Sequence, residues 1–248
     1  MIKDAAIVTI RNSSTRLPNK AIMEIKDSAR SVDVVVERAK RTKFPVIIAT
    51  STDQSDEIFI DVARSHDVNI FRGALLNKIK RWHDCFLEFG VENALMVDGD
   101  DLAYDYDIGL RAMEELKSSN FDMISSPPDI VPGFFTYAIS KEGINKMYNV
   151  VSDEQTNTDV ITKFIEKANL SNSYVSLRDY ERNRKVRLTL DYEEDLLFFR
   201  TLYKDLDLLA NGKTIIDFLD KNPTVSQINL HRQNDFLKNQ MKFNEGIK

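Results

Sequence analysis

The sequence predicts an α/β domain in which a mostly parallel sheet is covered by helices on both faces. Short runs rich in Ile and Val alternate with amphipathic segments through the first half of the chain. Such alternation is typical of parallel sheets, whose strands are buried on both faces. The chain has 248 residues, of which 42% are apolar and 29% charged, and these values suit one folded domain of this class. Its 8 Gly and 6 Pro residues are too few for a low-complexity chain.

The first half of the chain alternates regularly between the two kinds of element. Four short apolar runs are predicted as buried strands, at residues 5–10, 46–50, 68–71 and 94–97. Apolar residues at helical spacing predict helices at residues 31–43, 55–66, 75–89 and 106–116. Ser31 can cap the first of these helices, and Pro45 marks its end. Because ligands bind at the carboxyl ends of strands in such sheets, the loops that follow the four strands are the candidate binding region.

The pattern loosens after about residue 127. Residues 123 and 124 continue the alternation, and further strands are predicted at residues 134–139, 174–177 and 185–191. Helices are predicted at residues 154–168 and 192–203, and from residue 213 to the C-terminus with a break at Pro223. No internal repeat and no linker rich in Ser or Gly divides the chain. We therefore expect a single domain over residues 1–248, with a C-terminal helical arm at about 213–248.

Composition and charge exclude several classes of protein. The chain has 34 Lys and Arg residues against 39 Asp and Glu residues, a net charge of −5, which argues against a broad nucleic-acid surface. No apolar run reaches the ~18 residues needed to span a bilayer, and no basic segment followed by an apolar one opens the chain. The single Cys85 cannot form an internal disulfide, which fits a reducing compartment. We therefore expect a cytoplasmic protein with neither a membrane nor a nucleic acid as partner.

The loop that follows the first predicted strand has the residue types of a phosphate-binding site. Residues 11–20 read Arg-Asn-Ser-Ser-Thr-Arg-Leu-Pro-Asn-Lys and supply three cations and three hydroxyl groups. Hydroxyl and backbone donors contact phosphate oxygens, and Arg and Lys offset their charge. The loop has neither the P-loop pattern nor the glycine pattern of dinucleotide-binding folds. On residue types alone, a solvated loop without a ligand explains these residues equally well.

Acidic residues follow the fourth predicted strand, in the order Asp98-Gly99-Asp100-Asp101. Carboxylates at this position can face the same crevice as the basic loop, and Mg²⁺ takes oxygen ligands that include one or two carboxylates and substrate phosphates. Asp-Gly is also a common turn dipeptide, so a turn without a ligand is the alternative. Asp191 lies just before a predicted helix and is, by itself, most simply the N-cap of that helix.

The basic loop resembles the signature of the cytidylyltransferases that activate sugars. It is similar to that of the 3-deoxy-manno-octulosonate (Kdo) cytidylyltransferases and the spore-coat polysaccharide cytidylyltransferases, which read Ala-Arg-x-(Gly/Ala)-Ser-Thr-Arg-Leu-Pro-Gly-Lys. The residues that match are Arg11, Ser14, Thr15, Arg16, Leu17, Pro18 and Lys20, and the departures are Ser13 and Asn19. Asn19 still tolerates a left-handed backbone, so the turn can be kept. Residues 48–53 and 68–73, Arg81, and residues 187–191 and 194–196 also resemble the family, so the match spans nearly the whole chain with a gap at about residues 127–184.

The resemblance implies a fold, a reaction and a set of site residues. The fold is the Rossmann-like three-layer sandwich of the nucleotide-diphospho-sugar transferase (GT-A-like) type. The reaction is transfer of CMP from CTP to a sugar acid or sugar phosphate, with release of pyrophosphate, in bacterial surface polysaccharide biosynthesis. The implied partners are CTP, Mg²⁺, a small sugar acceptor contacted by residues 127–184, and a second copy in a homodimer. The implied catalytic residues are Lys20, Arg11 and Asp100; the nucleotide-binding residues are Arg11, Ser13, Ser14, Thr15, Arg16, Lys20, Arg72 and Arg81; the metal ligands are Asp100, Asp191 and Asp98.

Two alternatives stay open at the level of sequence. A GT-A-like glycosyltransferase would use a nucleotide-sugar, and Asp98-Gly99-Asp100 fits its Asp-x-Asp string. The basic loop argues against this alternative, because a sugar diphosphate donor needs no pyrophosphate cradle. The second alternative is a catalytically degenerate nucleotide-binding subunit, which the departures at Ser13 and Asn19 and at Leu102, where the family usually has Pro, leave open. The choice of CTP over other nucleotides depends on the resemblance alone.

Overall fold

The computed structural model describes residues 2–182 and 185–246, which form a central seven-stranded sheet between two layers of helices. The strands are β1 (Asp4–Thr9), β2 (Glu24–Lys26), β3 (Ala29–Arg30), β4 (Val46–Ser51), β5 (Asn69–Gly73), β6 (Asn93–Asp98), β7 (Met123–Ser125), β8 (Tyr137–Ser140) and β9 (Asn172–Tyr174). The order across the sheet is β5-β4-β1-β6-β8-β7-β9, and β2 and β3 form a separate hairpin. Neighbouring strands of the sheet are parallel, except that β8 runs antiparallel to β6 and β7. The predicted mixed, mostly parallel sheet is confirmed.

The helices cover both faces of the sheet. They are α1 (Ser31–Lys40), α2 (Ile58–His66), α3 (Lys78–Phe89), α4 (Tyr106–Ser118), α5 (Lys141–Val150), α6 (Thr162–Lys167), α7 (Glu193–Asp205), α8 (Gly212–Lys221), α9 (Pro223–Ser226) and α10 (Arg232–Gly246). Side chains of a strand alternate between faces, so β1 contributes to two cores. Ala6 and Val8 pack with α1, α4 and α7, whereas Ala5 and Ile7 pack with α3 and α5. The three-layer sandwich is therefore confirmed.

The strand order reverses between β1 and β6. From β1 the chain moves to β4 and then β5 on one side, and it returns to β6 on the other side of β1. In open parallel sheets such a reversal leaves a crevice at the carboxyl ends of the two strands, where ligands bind. Gly99 follows β6 at this point, and a Cβ there would lie 2.7 Å from the side chain of Ile10. The absence of a side chain at Gly99 therefore lets the two chain segments approach closely.

The first half of the fold agrees with the sequence prediction, apart from details at the helix starts. The helix predicted from residue 55 begins at Ile58, after a short 3₁₀ turn at Gln54–Asp56. Ser31 does not cap α1: its hydroxyl donates to the carbonyl of Lys20 at 2.5 Å, while Asp33 accepts from the backbone N–H of Arg30. The contact of Ser31 with Lys20 joins the start of α1 to the end of the basic loop. Among the described residues, no helix is both long enough and apolar enough to cross a membrane.

The second half differs from the prediction in several elements. The predicted helix at 154–168 is reduced to α6, because residues 151–161 form an irregular loop around the buried side chain of Asn77. The amide of Asn77 donates to the carbonyls of Val151 and Asp153 at 2.8 Å each, which replaces helical hydrogen bonds. The strand predicted at 134–139 begins only at Tyr137, and the strand predicted at 174–177 is shifted to β9. Helix α5 and the β2–β3 hairpin were not predicted.

The strand predicted at 185–191 does not join the sheet. Residues 186–190 are all buried, and the apolar ones, Val186, Leu188 and Leu190, pack in the core that also contains Ala6 and Val8. Their backbone bonds go to loops instead: the N–H of Leu188 donates to the carbonyl of Pro132 at 3.0 Å, and that of Leu190 to the carbonyl of Asp100 at 2.8 Å. The second of these contacts places the end of the segment beside the acidic turn after β6.

Candidate active site

A cavity of about 950 Å³ opens at the carboxyl ends of β1 and β6, at the reversal of strand order. Its volume is in the range of small-molecule sites, which hold ligands of nucleotide size. The predicted site residues that line it are Arg11, Ser13, Ser14, Thr15, Arg16, Lys20, Arg81, Asp98 and Asp100. The structure therefore brings the basic loop and the acidic turn together on one cavity wall.

Lys20 connects the three chain segments of the site. Its ammonium Nζ donates to Asp100 Oδ2 at 2.7 Å, to Asp191 Oδ1 at 2.9 Å and to the carbonyl of Leu190 at 2.7 Å. The left-handed backbone of Asn19, with φ of 60°, turns the chain just before Lys20, as the sequence predicts. Burial lowers the pKa of Lys20, but the carboxylates of Asp100 and Asp191 outweigh burial and hold it above its usual value. Lys20 therefore stays charged at neutral pH.

Asp191 is buried, with 1% of its surface exposed, and it is surrounded by cations. Besides Lys20, Arg16 donates to its Oδ1 at 2.5 Å and Arg187 to its Oδ2 at 2.8 Å. Burial alone would raise the pKa of Asp191, but Lys20 and Arg16 hold it well below its usual range. The carboxylate is therefore ionised, and one of its oxygens is directed toward the basic loop.

The interpretation of Asp191 as a helix N-cap is wrong. Helix α7 begins at Glu193, and its N-cap residue is Tyr192. The carboxylate that satisfies the backbone there belongs to Asp195, whose Oδ2 accepts from the N–H groups of Asp191 and Tyr192 at 2.8 and 3.0 Å. This is the reach of an N3 acidic side chain back to the start of the helix. Asp191 is consequently free of a capping role.

Arg11 and Arg81 lie at the other end of the cavity. Arg11 pairs with Asp159 at 2.6 Å and also donates to the carbonyl of Leu75 at 2.9 Å. Arg81 is buried and donates to the carbonyl of Ala74 at 3.0 Å, but its Nε has no hydrogen-bond partner within the described part of the chain. Burial, together with the nearby charge of Arg11, lowers the pKa of Arg81 to about 10. Arg11 and Arg81 carry two positive charges and Asp159 one negative charge, so this end of the cavity can bind an anionic group.

Arg72 lies outside the cavity lining. Its guanidinium donates to the carbonyls of Ser51 and Asp53 at 3.1 Å each, so it holds the loop after β4. Its predicted contact with a nucleotide therefore stays a prediction. Leu102, the third departure from the family pattern, is fully buried in the core, which explains an apolar residue at that position.

The carboxylates at the acidic turn can hold Mg²⁺ only if phosphate oxygens of a bound substrate complete its coordination. Among the described residues, no group of three or more His, Cys, Asp or Glu side chains is arranged to hold a metal ion. Asp100 and Asp191 nevertheless converge on one cation, the ammonium of Lys20. Two carboxylate oxygens with substrate phosphates and waters are the usual ligands of Mg²⁺. Asp98 accepts from Thr136 at 3.1 Å, and burial, with the charge of Asp100, raises its pKa; its role as a ligand stays a prediction.

Sequence reasoning missed the lining residues that only tertiary structure brings to the cavity. Asp159 lies in the segment wrongly predicted as helix, and no local pattern marks it. Phe236 and Asn239 come from α10, far from any motif. Lys78 carries a usable signal, because it begins α3 directly after the loop that follows β5. A position next to a loop at the ligand end of the sheet can therefore identify a lining residue from sequence, whereas residues brought in by long-range contacts cannot be identified in this way.

The fold and the cavity together define an α/β nucleotidyltransferase. A basic loop after the first strand faces carboxylates at the reversal of strand order, which is where ligands bind in open parallel sheets. The chain belongs to the cytidylyltransferase family, since the model of that family matches residues 5–215.

The chain is also similar to individual proteins over most of its length. The chain is 26% identical over 232 residues to an uncharacterized protein of Methanocaldococcus jannaschii, which covers 92% of this chain and 95% of that protein. It is similar in structure to a cytidylyltransferase from Leptospira borgpetersenii serovar Hardjo-bovis, with a TM-score of 0.82, 20% identity, and coverage of 92% of this chain and 98% of the other. It is also similar to CMP:2-keto-3-deoxy-manno-octonic acid synthetase complexed with CTP, with a TM-score of 0.63, 12% identity, and coverage of 82% and 98%. At these identities the structural likeness establishes the shared fold.

Proposed function

We propose that this protein transfers CMP from CTP to a small sugar acid or sugar phosphate and releases pyrophosphate. One observation carries the proposal: Lys20, on the basic loop that lines the cavity, contacts both Asp100 of the cavity wall and Asp191, which is buried behind the lining. Nucleotidyl transfer uses cations to offset the negative charge of the triphosphate where the α-phosphorus is attacked. It uses carboxylates to hold a divalent metal ion beside the phosphates. Membership of the cytidylyltransferase family supports CTP as the nucleotide. The resemblance to sugar-activating enzymes supports the acceptor class and a role in surface polysaccharide synthesis.

In this proposal the basic loop binds and orients the triphosphate. Lys20 and Arg16 carry the charges nearest to the acidic pair, and Ser14 and Thr15 line the same wall with hydroxyl groups. An oxygen of the acceptor attacks the α-phosphorus, the bond to the β-phosphate oxygen breaks, and pyrophosphate leaves with its charge held by the cations. No side chain forms a covalent bond with the substrate. Catalysis depends on positioning and on electrostatic stabilisation of the transition state.

Asp100 and Asp191 would hold Mg²⁺ together with the phosphates of the bound nucleotide. When bound, the ion would supply positive charge beside the phosphates and would lower the pKa of an attacking hydroxyl group. The buried Arg187 orients Asp191 by donating to its second oxygen, Oδ2, which leaves Oδ1 directed at the loop. Arg187 is itself oriented by Asp195 at 3.0 Å. The protein therefore fixes the direction of the carboxylate before any ligand binds.

CTP with Mg²⁺ is expected to raise the melting temperature more than ATP, GTP or UTP with Mg²⁺. A ligand present at a hundred times its Kd adds ~2.7 kcal/mol to the free energy of unfolding. A thermal-shift series with the four nucleotides at equal concentration measures this, and MgCl₂ without nucleotide is its control. Equal shifts with all four nucleotides would contradict selectivity for CTP, and the absence of any shift would contradict nucleotide binding.

The homodimer stays part of the proposal, but one reason for it disappears. An apolar run such as residues 133–139 would indicate a partner surface if it were exposed, but its apolar side chains are all buried within the single chain, namely Phe134, Phe135, Tyr137, Ala138 and Ile139. The sheet is open and ends in two edge strands, β5 and β9. Edge strands present unpaired backbone groups that a second chain can cover. Light scattering at micromolar concentration is expected to give twice the mass of 28.5 kDa, and a monomer would contradict it.

The family match favours nucleotidyl transfer over the glycosyltransferase alternative. A glycosyltransferase would consume a nucleotide-sugar without releasing pyrophosphate. Measurement of pyrophosphate release with CTP, Mg²⁺ and a panel of sugar acids and sugar phosphates separates the two reactions. It also tests the degenerate-subunit alternative, which predicts binding of CTP with no release.

A further inference from the structure

The C-terminal segment that ends in α10 lies against the residues that hold Asp191. The family match ends at residue 215, so this segment lies beyond the matched pattern. Asn229, which precedes α10, is fully buried. Its amide donates to Asp195 Oδ1 at 2.8 Å and to the carbonyl of Arg187 at 3.0 Å. The segment is therefore joined to the ion pair that orients Asp191.

Gln233, in the first turn of α10, is the hydrogen-bond acceptor for Nη1 of Arg187. The guanidinium of Arg187 uses Nε for Asp195 and Nη2 for Asp191 and Asp195, and its Nη1 donates to Gln233 Oε1 at 3.0 Å. Arg187 is fully buried, and a buried donor without a partner costs free energy. Gln233 therefore supports the arginine that fixes the direction of Asp191.

Phe236, one turn further along α10, lies over two guanidinium groups. Its ring centroid is 5.0 Å from Cζ of Arg187 and 6.0 Å from Cζ of Arg16. The ring of Tyr192 is 5.8 Å from Cζ of Arg16. Aromatic faces attract cations at these distances. The guanidinium of Arg16 thus contacts two rings while it donates to Asp191, which restricts a side chain that is otherwise long and flexible.

The arm also contributes directly to the cavity. Phe236 and Asn239 line it together with Arg16 and Lys20, and the amide of Asn239 donates to the hydroxyl of Tyr192 at 3.2 Å. We propose that α10 is a wall of the active site and that Phe236 is a positioning residue, which holds Arg16 where it meets the triphosphate. The inference rests on the proposed function, because it assumes that Arg16 binds a nucleotide.

Calorimetric titration with CTP and Mg²⁺ tests the role of Phe236. Phe236→Leu keeps an apolar side chain but removes the aromatic face, and it is expected to weaken CTP binding by about 3- to 30-fold, the range of a partly buried cation–π contact. Phe236→Tyr keeps the ring and is expected to bind CTP like wild type. Leu237 lies on the same helix and is 46% exposed, so Leu237→Ala is the matched control and is expected to leave binding unchanged.

A double-mutant cycle with Arg16→Ala separates positioning from general support of the fold. If Phe236 acts through Arg16, Phe236→Leu is expected to change CTP affinity by less than about twofold in the Arg16→Ala background. Full additivity of the two substitutions, wild-type affinity of Phe236→Leu, or failure of Phe236→Tyr to retain affinity would each overturn the inference.

The two proposals fail in distinguishable ways. If wild type binds another nucleoside triphosphate more tightly than CTP, the same double-mutant cycle is measured with that nucleotide. The cycle then tests the role of Phe236 by the same criteria. Binding of none of the four nucleoside triphosphates by wild type would overturn the proposed function and, with it, the role of Phe236. Normal binding by wild type with no effect of Phe236→Leu would overturn the role of Phe236 alone.

Discussion

Lys20→Ala is expected to lower kcat/KM for CTP by about 10- to 150-fold, because it removes a charge-assisted contact of about 1.5–3 kcal/mol from the triphosphate. The structure supports a large effect, since Lys20 is the one side chain that contacts Asp100, Asp191 and the carbonyl of Leu190 among the described residues. Pyrophosphate release as a function of CTP concentration, with the acceptor panel, is the measurement. Unchanged kcat/KM for CTP would show that the loop does not hold the triphosphate.

The same substitution is expected to lower the melting temperature as well. Only 14% of the Lys20 side chain is exposed, and its ammonium group lies between two carboxylates. Without the ammonium, Asp100 and Asp191 repel each other. Activity is therefore compared well below both melting temperatures. Lys40→Ala is the matched control, because Lys40 forms a surface pair with Glu37 and does not line the cavity.

The first half of the fold could be predicted because its signals are local. Short runs of Ile and Val form β1, β4, β5 and β6, and the intervening helices carry their apolar residues at helical spacing. The rule that ligands bind at the carboxyl ends of parallel strands then placed the cavity correctly. Neither inference needs to know which distant segments pack together.

The placement of Asp191 could not be predicted in the same way. Residues 185–191 have the alternation of a strand, and alternation indicates only that one side is buried. The backbone N–H groups of this segment donate to loop carbonyls, those of Pro132 and Asp100, instead of to a neighbouring strand. Gly133 makes this possible, because its φ of 92° and its missing Cβ let it approach the carbonyl of Leu188. Such a contact depends on two segments about 55 residues apart, and no window of sequence contains both.

The local role of Asp191 shows a second limit of sequence reasoning. An Asp just before a helix favours an N-cap, but here two acidic residues of the same turn compete for that role. Asp195 takes it, because its carboxylate accepts from two backbone N–H groups. Asp191 is then available to three cations, Arg16, Lys20 and Arg187. Both carboxylates are buried, and which of them faces the basic loop is decided by where those cations lie in the folded chain.

Asp100→Asn and Asp191→Asn are each expected to abolish Mg²⁺-dependent transfer, because an amide keeps the size of a carboxylate but loses the negative charge that the ion requires. If both side chains bind one ion they act as a unit, and the double variant is expected to be little worse than either single variant. Pyrophosphate release over a range of Mg²⁺ concentrations measures this. Asp61→Asn is the matched control, since Asp61 forms an exposed pair with Arg64.

Asp100→Asn and Asp191→Asn are expected to differ in the free energy of unfolding. The difference measures how much each carboxylate stabilises the fold in the absence of a ligand. Asp191→Asn leaves three cations beside a buried neutral group, and breaking a buried ion pair costs about 3–5 kcal/mol. Asp100 is 27% exposed, so its replacement is expected to cost less.

Because Lys20 and Arg16 overcome burial and lower the pKa of Asp191, its contribution to stability is present above pH ~4 and is lost as the pH falls further. The stability gap between wild type and Asp191→Asn is therefore expected to close on acidification. Activity of Asp191→Asn near that of wild type would remove Asp191 from the metal site and leave Asp100, with Asp98, to hold the ion.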